Sequence, residues 1–367
     1  MDGDIVLMKG NEAVAHAAVR YGCDGYFGYP ITPQSEVLET LQALMPWETT
    51  GMVVLQAESE VAAINMVYGG AASGKAVLTS SSSPGMSLKQ EGISYLAACR
   101  LPALLINVMR GGPGLGTIQP SQADYFQATK GGGHGDYHLI VLAPASVQEM
   151  VDFVTLGFDL SFKYRTPAII LADGIIGQMM EKVILPPQRP RRTDNEVKTQ
   201  CPWAATGRTG GRKKNVITSL ELDPAIMEQN NHILQDTYKE IEANECRWEE
   251  TGVEDAELLM VAFGSMARIC EKAREIAEEK GIKVGIVRPV TLWPFPKEAI
   301  EKAAEGKKGI LVVELNAGQM IEDVRLAVHD SLPVAHFGRL GGIVPSPGEV
   351  TQEIEKMYND PAAYRSK

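Results

Sequence analysis

Two carboxylates and one arginine are the residues of this sequence best placed to do chemistry. In "LQAESEVAAINMVYGGAASG", Glu58 and Glu60 stand at the mouth of a helix whose later residues are nearly all apolar. A carboxylate there meets the positive end of the helix dipole, which stabilises the fold modestly. In a dry crevice the same group would have its pKa raised by desolvation and could share a proton with a ligand nitrogen. Arg110 ends the apolar run "LPALLINVMR", and a strand buried on both sides seldom ends in a guanidinium. Its charge calls for an ion pair with Glu58, Glu60 or Glu91, or for an anionic ligand gripped by the planar fork.

The loop "GYPITPQSE", residues 28 to 36, is stiffened by Pro30 and Pro33. Each fixes φ and pushes the preceding residue toward extended backbone, so the loop backbone is held before a partner arrives. The pattern predicts Thr32 as N-cap of a helix through Ser35, Val37, Leu38 and Leu41, with Pro33 in its first turn. Ser80 to Ser83 are expected chiefly to cap the helix that follows them. "GGPGLG", residues 111 to 116, matches neither GxxxxGK[ST] nor GxGxxG and reads as flexible backbone near a ligand.

His134, Asp136 and His138 lie in "KGGGHGDYH", and Glu314, His329 and His336 follow later. None has the partners a metal site needs, so all are read as local hydrogen-bonding groups. Cys23, Cys99, Cys201, Cys246 and Cys270 form no CxxC or CxxH pair, which argues against zinc or iron-sulfur centres within this chain.

The elements that must position these groups follow from periodicity. Strands are predicted near Gly25–Gly28, Met52–Leu55, Ala76–Thr79, Leu104–Met109, Leu139–Leu142 and Ala168–Leu171. Helices fall near Glu12–Tyr21, Ser35–Leu44, Glu60–Ala72, Leu88–Ala98, Ala123–Thr129 and Val147–Phe162. The alternation predicts an α/β fold with a doubly wound, mainly parallel sheet. Prolines at 186, 187 and 190 and the stretch "TGRTGGRKK" open a long excursion, ending near a helix expected over Ile226–Glu249. A second alternation starts at Leu258. The expected division is 1–185, a connecting segment 186–254, and a smaller C-terminal α/β domain over 255–367. In such sheets ligands sit outside the carboxyl ends of the strands, so the loops carrying Thr32, Glu60, Ser80 and Arg110 could share one crevice.

At 367 residues the chain can bury two cores, and its net charge of −11 argues against a nucleic-acid surface. No apolar run is long enough to span a bilayer. Five widely spaced cysteines without a secretory leader suit a reducing cytoplasm.

Together "KGNEAVAHAA", "GYPITPQSEV", "QAESEVAAINMVYGGAASG", "SSSSPGMSLKQEGISYLA", "MRGGPGLGTIQPSQADYFQATKGGGHGDY", "RPVTLWPFP" and "VVELNAGQM" resemble the α-subunit of 2-oxoacid:ferredoxin oxidoreductases, nearest the branched-chain type. The resemblance covers most of the chain. It implies a thiamine diphosphate enzyme whose cofactor lies between two related α/β domains, this chain being the one that receives the aminopyrimidine ring, followed by a domain of transketolase C-terminal type. By that likeness Glu60 is the activating carboxylate, with Glu58 the alternative. Thr32 and Arg110 receive the 2-oxoacid carboxylate, while Pro30 and Ile31 supply backbone beside the cofactor. The implied reaction is oxidative decarboxylation to an acyl group taken by coenzyme A, with electrons passed to ferredoxin.

The family's Gly-Asp-Gly magnesium and diphosphate motif is not visible here. The resemblance therefore implies a β-type partner that brings the diphosphate half, magnesium and at least one iron-sulfur cluster, with γ-type and ferredoxin-like δ-type subunits as further candidates. Where many relatives have Pro-Ser-Thr-Gly, this chain has Pro113-Gly114-Leu115-Gly116. Leu115 suggests an apolar substrate side chain such as that of 2-oxoisovalerate; 2-oxoglutarate is the alternative. Two other readings stand beside these: a non-catalytic scaffold subunit, and a non-redox thiamine enzyme of the transketolase type.

Overall fold

The computed structural model describes residues 4–208, 212–329 and 331–364; positions 209–211 of the "TGRTGGRKK" stretch lie outside the described residues. The first half runs β1 (Asp4–Lys9), α1 (Gly10–Tyr21), β2 (Gly25–Gly28), α2 (Ser35–Leu44), α3 (Pro46–Thr49), β3 (Val53–Gln56), α4 (Glu60–Ala72), β4 (Val77–Ser81) and α5 (Ser83–Ala98). It continues through β5 (Leu104–Met109), α6 (Tyr125–Thr129), β6 (Ile140–Leu142), α7 (Val147–Tyr164), β7 (Ala168–Asp173), α8 (Gly174–Gln178) and β8 (Met180–Leu185).

Strands β2 to β7 pair parallel in the order β6-β7-β5-β4-β2-β3. Every residue of β4, β5, β6 and β7 is buried, as expected for apolar runs covered by helices on both faces. Strands β1 and β8 form a separate antiparallel ribbon, which the alternation did not announce. Helix α5 begins at Ser83, five residues before the predicted start, because Pro84 occupies its first turn.

The second half runs α9 (Asp194–Gln200), α10 (Pro224–Asn244), β9 (Trp248–Thr251), β10 (Leu258–Ala262), α11 (Gly264–Glu279), β11 (Val284–Pro289), β12 (Thr291–Trp293), α12 (Lys297–Ala304), β13 (Ile310–Glu314), α13 (Met320–Val328), β14 (Val334–Gly338) and α14 (Pro347–Asn359). Its sheet has the order β14-β13-β10-β11-β9. The helix expected to reach Glu249 ends at Asn244, since Trp248–Thr251 gain a ladder of bonds with β11 instead. Strand β12 crosses over and pairs antiparallel with β6, completing the first sheet to seven strands.

Beneath that crossing the halves share a buried polar lock. Gln122 Nε2 donates to the Phe263 carbonyl (2.8 Å) and to Asp173 (3.2 Å), while Gln122 Oε1 accepts from the Leu315 amide (3.1 Å). Asp173 also accepts from the Ser265 amide at 2.9 Å. With the Gln122 amide and the Asp173 carboxylate both partnered, such a network fixes the relative placement of the two sheets. Among the described residues no helix is long and apolar enough to cross a membrane.

Candidate active site

Strands β5, β4, β2 and β3 are consecutive in the sheet, so the loops leaving their carboxyl ends lie side by side. From β2 the chain passes outward to β3, then back over β2 to β4 and on to β5. The order therefore reverses beside β2, where open α/β sheets leave a crevice. The Ala57 amide donates to the Gly28 carbonyl at 2.8 Å and ties the loop before Glu60 to the proline loop.

The proline loop is held from below by residues the sequence reading did not single out. Asn11 Nδ2, in the first turn of α1, donates to the Pro33 carbonyl at 2.6 Å and to Glu36 at 3.0 Å. Gln178 Nε2 repeats both contacts from α8, at 2.8 and 2.9 Å. Gly28 admits no side chain, because a Cβ there would lie 2.2 Å from the Tyr26 hydroxyl. Thr32 does not cap α2. The chain turns through 31–34, with the Gln34 amide bonded to the Ile31 carbonyl at 3.0 Å, and the residue preceding the helix is Gln34. This turn leaves Pro30 and Thr32 exposed, Ile31 half-buried, and moves Pro33 outside the first helical turn.

The serine run also departs from expectation. Ser80 and Ser81 belong to β4, and Ser82 precedes α5 without a side-chain capping bond. Ser80 Oγ instead bonds the Tyr26 hydroxyl (2.8 Å) and the buried Gln34 side chain. Ser83 Oγ donates to Asp124 at 2.6 Å, and Asn107 Nδ2 donates to the same oxygen at 2.8 Å. Burial pushes the Asp124 carboxyl above its ordinary value. The hydroxyls of Ser81 and Ser82 are buried without partners among the described residues. Ser80 and Ser83 therefore serve tertiary contacts rather than the helix start.

Glu60 is the first residue of α4 and only 7 % exposed, whereas Glu58 is exposed. Ser59 caps that helix through the Ala62 amide at 3.2 Å. The Glu60 carboxylate lies over Gly85 in the first turn of α5, where an added Cβ would come within 2.7 Å of its Oε1.

Arg110 is 9 % exposed and meets no carboxylate among the described residues. Its two terminal nitrogens donate to the Thr32 and Leu115 carbonyls, both at 2.9 Å, and its buried Nε has no partner among the described residues. Glu91, one of the acids considered for it, accepts from the Tyr95 hydroxyl at 2.6 Å instead. The loop after Arg110 folds back on itself, with the Gly111 amide bonded to the Gln119 carbonyl at 2.9 Å. Gly116 sits at φ +58, where a Cβ would strike the Gly111 carbonyl. The result displays Leu115, 81 % exposed, at the crevice mouth.

The other candidates go separate ways. His138 stacks on Trp293 at 4.6 Å, the His134 carbonyl accepts from Ser94, and Asp136 accepts from Gln235 through its backbone. The Glu314 carboxylate receives the Gln319, Met320 and Ile321 amides at the start of α13, with His336 4.0 Å away. His329 ends that helix. Among the described residues no three His, Cys, Asp or Glu are grouped to hold a metal. Of the residues sequence reasoning passed over, Asn107 and Lys89 did leave a signal: Asn107 interrupts a buried apolar strand, and Lys89 falls on the helix face of the buried Gly85, Met86, Gly92 and Ile93.

A family described as pyruvate flavodoxin/ferredoxin oxidoreductase, thiamine diphosphate-binding, matches residues 16–249, and pyruvate:ferredoxin oxidoreductase core domain II matches 256–350. The ketoisovalerate oxidoreductase subunit VorB of Methanothermobacter marburgensis is 48 % identical over 96 % of this chain and 98 % of its own. The 2-oxoglutarate synthase subunit KorA of Archaeoglobus fulgidus is 35 % identical, covering 92 % and 96 %. Among solved structures, the 2-oxoglutarate:ferredoxin oxidoreductase from Magnetococcus marinus, with 2-oxoglutarate, coenzyme A and succinyl-CoA bound, superposes with a TM-score of 0.85 at 27 % identity. That match covers 96 % of this chain and 65 % of the longer one. A split gene transketolase, at 10 % identity and a TM-score of 0.57, shares the fold alone. With a thiamine diphosphate-binding family matched over most of its length and relatives named as oxidoreductase subunits matched end to end, the chain belongs to the 2-oxoacid:ferredoxin oxidoreductases as a subunit close to the ketoisovalerate type.

Proposed function

We propose that this chain is the α-type half of a two-chain active site that oxidatively decarboxylates a branched-chain 2-oxoacid. The observation that carries the reading is Arg110: a buried guanidinium with no counter-ion and one unpartnered nitrogen among the described residues, bonded to the Thr32 carbonyl at the same strand ends from which the Glu60 loop leaves. Burying a charge unpaired costs several kcal/mol, roughly, so a site of this kind is built for an anion that arrives later. The Thr32 hydroxyl and the Arg110 fork would hold the substrate carboxylate. Leu115 and the exposed Ile118 present aliphatic surface where the rest of the substrate would lie, which favours 2-oxoisovalerate over a dicarboxylic substrate.

The crevice fits the aminopyrimidine half of thiamine diphosphate. It offers a buried carboxylate at a helix start, unpartnered Ser81 and Ser82 hydroxyls, and the backbone of Pro30 and Ile31. When bound, the cofactor supplies the electron sink for decarboxylation. Glu60 would hold or give a proton at a pyrimidine nitrogen, Arg110 and Thr32 would orient the oxoacid, and the preset proline loop would avoid reorganisation during the reaction.

The diphosphate, its magnesium and the iron-sulfur clusters are assigned to partners: a β-type subunit, with γ-type and ferredoxin-like δ-type subunits as further members, ferredoxin as acceptor and coenzyme A as acyl acceptor, in the cytoplasm. Exposed apolar side chains support a partner on this side: Val53 and Leu55 on the edge strand β3, Val61 and Met66 on α4, and Leu88 on α5. We divide the chain at 185 and 255, with β12 lent by the last unit to the first sheet.

The test is co-expression with the β-type partner and replacement Glu60→Gln. Oxoacid-dependent viologen reduction should fall by a factor of about 100 or more, as loss of a general acid-base group implies. Undiminished reduction would remove Glu60 from the reaction. On an oxoacid panel 2-oxoisovalerate should be preferred to 2-oxoglutarate.

A further inference from the structure

Arg100 and Arg165 close helices α5 and α7 in the same unusual way. Arg100 follows the last turn of α5 and Arg165 ends α7, and both take left-handed backbone with φ 52°. Glycine or asparagine fits such a position at least cost, so the backbone does not select arginine at either. The side chains do. Arg165 Nε donates to the Arg100 carbonyl at 3.1 Å, and its guanidinium lies 4.5 Å over the Trp203 ring. The Arg100 guanidinium makes a long contact of 3.5 Å to Thr237 Oγ1, and its buried Nε has no partner among the described residues.

Neither arginine meets a carboxylate at ion-pair distance among the described residues, and the two are near enough to oppose each other. Burial first and the Arg100 charge second hold the Arg165 guanidinium below its ordinary value, at about 10. The helix ends contribute partial negative charge, but Arg165 already uses the Arg100 carbonyl. Two full positive charges are left with no full negative one beside them.

Both side chains line one cavity of about 280 Å³ together with Val216, Thr218, Asn230 and Ile233, which the connecting segment and α10 supply. The Thr218 hydroxyl accepts from the Leu220 amide at 3.1 Å and keeps its own hydrogen to donate. Two guanidiniums, a hydroxyl and a side-chain amide therefore border one space, with aliphatic groups beside them. The cavity is separate from the crevice. Helices α5 and α7 return to the amino ends of β5 and β7, whereas the loops carrying Thr32, Glu60 and Arg110 leave the carboxyl ends. The six residues of β5 put roughly 20 Å between the two ends.

We propose that this cavity is a phosphate-binding site. The Arg100 and Arg165 forks take the oxygens of a phosphate group, Thr218 and Asn230 add hydrogen bonds, and occupancy fastens the connecting segment and α10 to the ends of α5 and α7. Arginine suits that task because its planar fork matches phosphate geometry. The inference is independent of the role given to Glu60.

The test uses the co-expressed complex loaded with thiamine diphosphate, so that its diphosphate site is filled, at constant ionic strength with chloride as reference. Inorganic phosphate and isobutyl phosphate are titrated, and amide hydrogen exchange is followed in peptides covering 95–101 and 212–235. In the parent, exchange there should slow by about threefold or more at about 20 mM of either anion. Arg100→Met should abolish the slowing while oxoacid-dependent viologen reduction is unchanged. Its melting temperature in chloride should hold or rise, since an uncompensated cation is removed. A lower half-effect concentration for isobutyl phosphate assigns an aliphatic phosphomonoester to the site, and equal concentrations assign free phosphate. Parent exchange that responds to neither anion overturns the proposal. So does a response that survives in Arg100→Met, or a melting temperature lowered equally by that variant in chloride and in phosphate, which would make the arginine structural. If Arg100→Met does not fold, Thr218→Val at its exposed position decides: phosphate binding should weaken by about tenfold, and unchanged sensitivity overturns the proposal.

Discussion

Replacing Arg110 by Met tests the substrate site, because it should separate stability from activity. In the free protein the guanidinium donates to the Thr32 and Leu115 carbonyls. Hydrogen bonds to a charged group stabilise by about 1.5–3 kcal/mol each, so the pair contributes roughly 3–6 kcal/mol. Against this stands the desolvation of a cation with no counter-ion among the described residues, itself several kcal/mol, roughly. The two nearly cancel, and Arg110→Met should change unfolding free energy by less than about 2 kcal/mol. Binding is different. A fork gripping a carboxylate makes two charge-assisted bonds that Met cannot make, a loss of about 3–6 kcal/mol. At about 1.4 kcal/mol per decade that is a fall of about 10² to 10⁴ in kcat/KM. The assay is viologen reduction by the co-expressed complex over a range of 2-oxoisovalerate concentrations, beside a thermal melt. If the carboxylate is held equally in ground and transition states, KM rises while kcat is kept. Arg110→Lys, keeping the point charge but losing the fork, should fall between. A variant with kcat/KM within about threefold of the parent would refute the reasoning.

Two further perturbations probe the supports of the crevice. Asp124 is buried and its carboxyl raised above the ordinary 3.8, so the folded state binds the proton more tightly than the unfolded one and stability falls as pH rises from 3.8 through the folded value. Asp124→Asn should therefore raise the melting temperature at pH about 8, with the gain shrinking as pH is lowered toward the ordinary carboxylate range; a gain independent of pH would contradict the linkage. Gly85→Ala places a Cβ 2.2 Å from Ser81 Oγ and 2.7 Å from Glu60 Oε1. Overpacking of this kind costs about 1–3 kcal/mol and should swing Glu60 out of line, so activity should drop well beyond what the modest loss in melting temperature accounts for.

Local periodicity alone was enough for α2, α4 and β5, whose bounds follow from the spacing of Val37, Leu38 and Leu41, the acidic start at Glu60, and the unbroken run from Leu104 to Met109. The chemistry-bearing residue types and the crevice they could share were also legible, because strand-to-helix loops of a parallel sheet all open at one end. Terminal elements were not: β1 and β8 lie far apart in sequence and make sense as strands only once paired, and β12 is three residues that belong to a sheet built elsewhere.

The distinction between Glu58 and Glu60 shows where the boundary falls. Both stand at the mouth of α4, and residue type and position read alike; the family resemblance favours Glu60 with Glu58 as the alternative. Only folding buries one and leaves the other in water. In the same way, Arg110 could have met an acid; what it meets is the carbonyl of Thr32, seventy-eight positions away, and Asn11 and Gln178 converge on Pro33 from opposite ends of the first half. Secondary structure answers to neighbours a few residues off, through backbone geometry and the side a residue faces. Burial, counter-ions and hydrogen-bond partners are set by residues distant along the chain, and those become neighbours only when the sheet has brought its strand ends together.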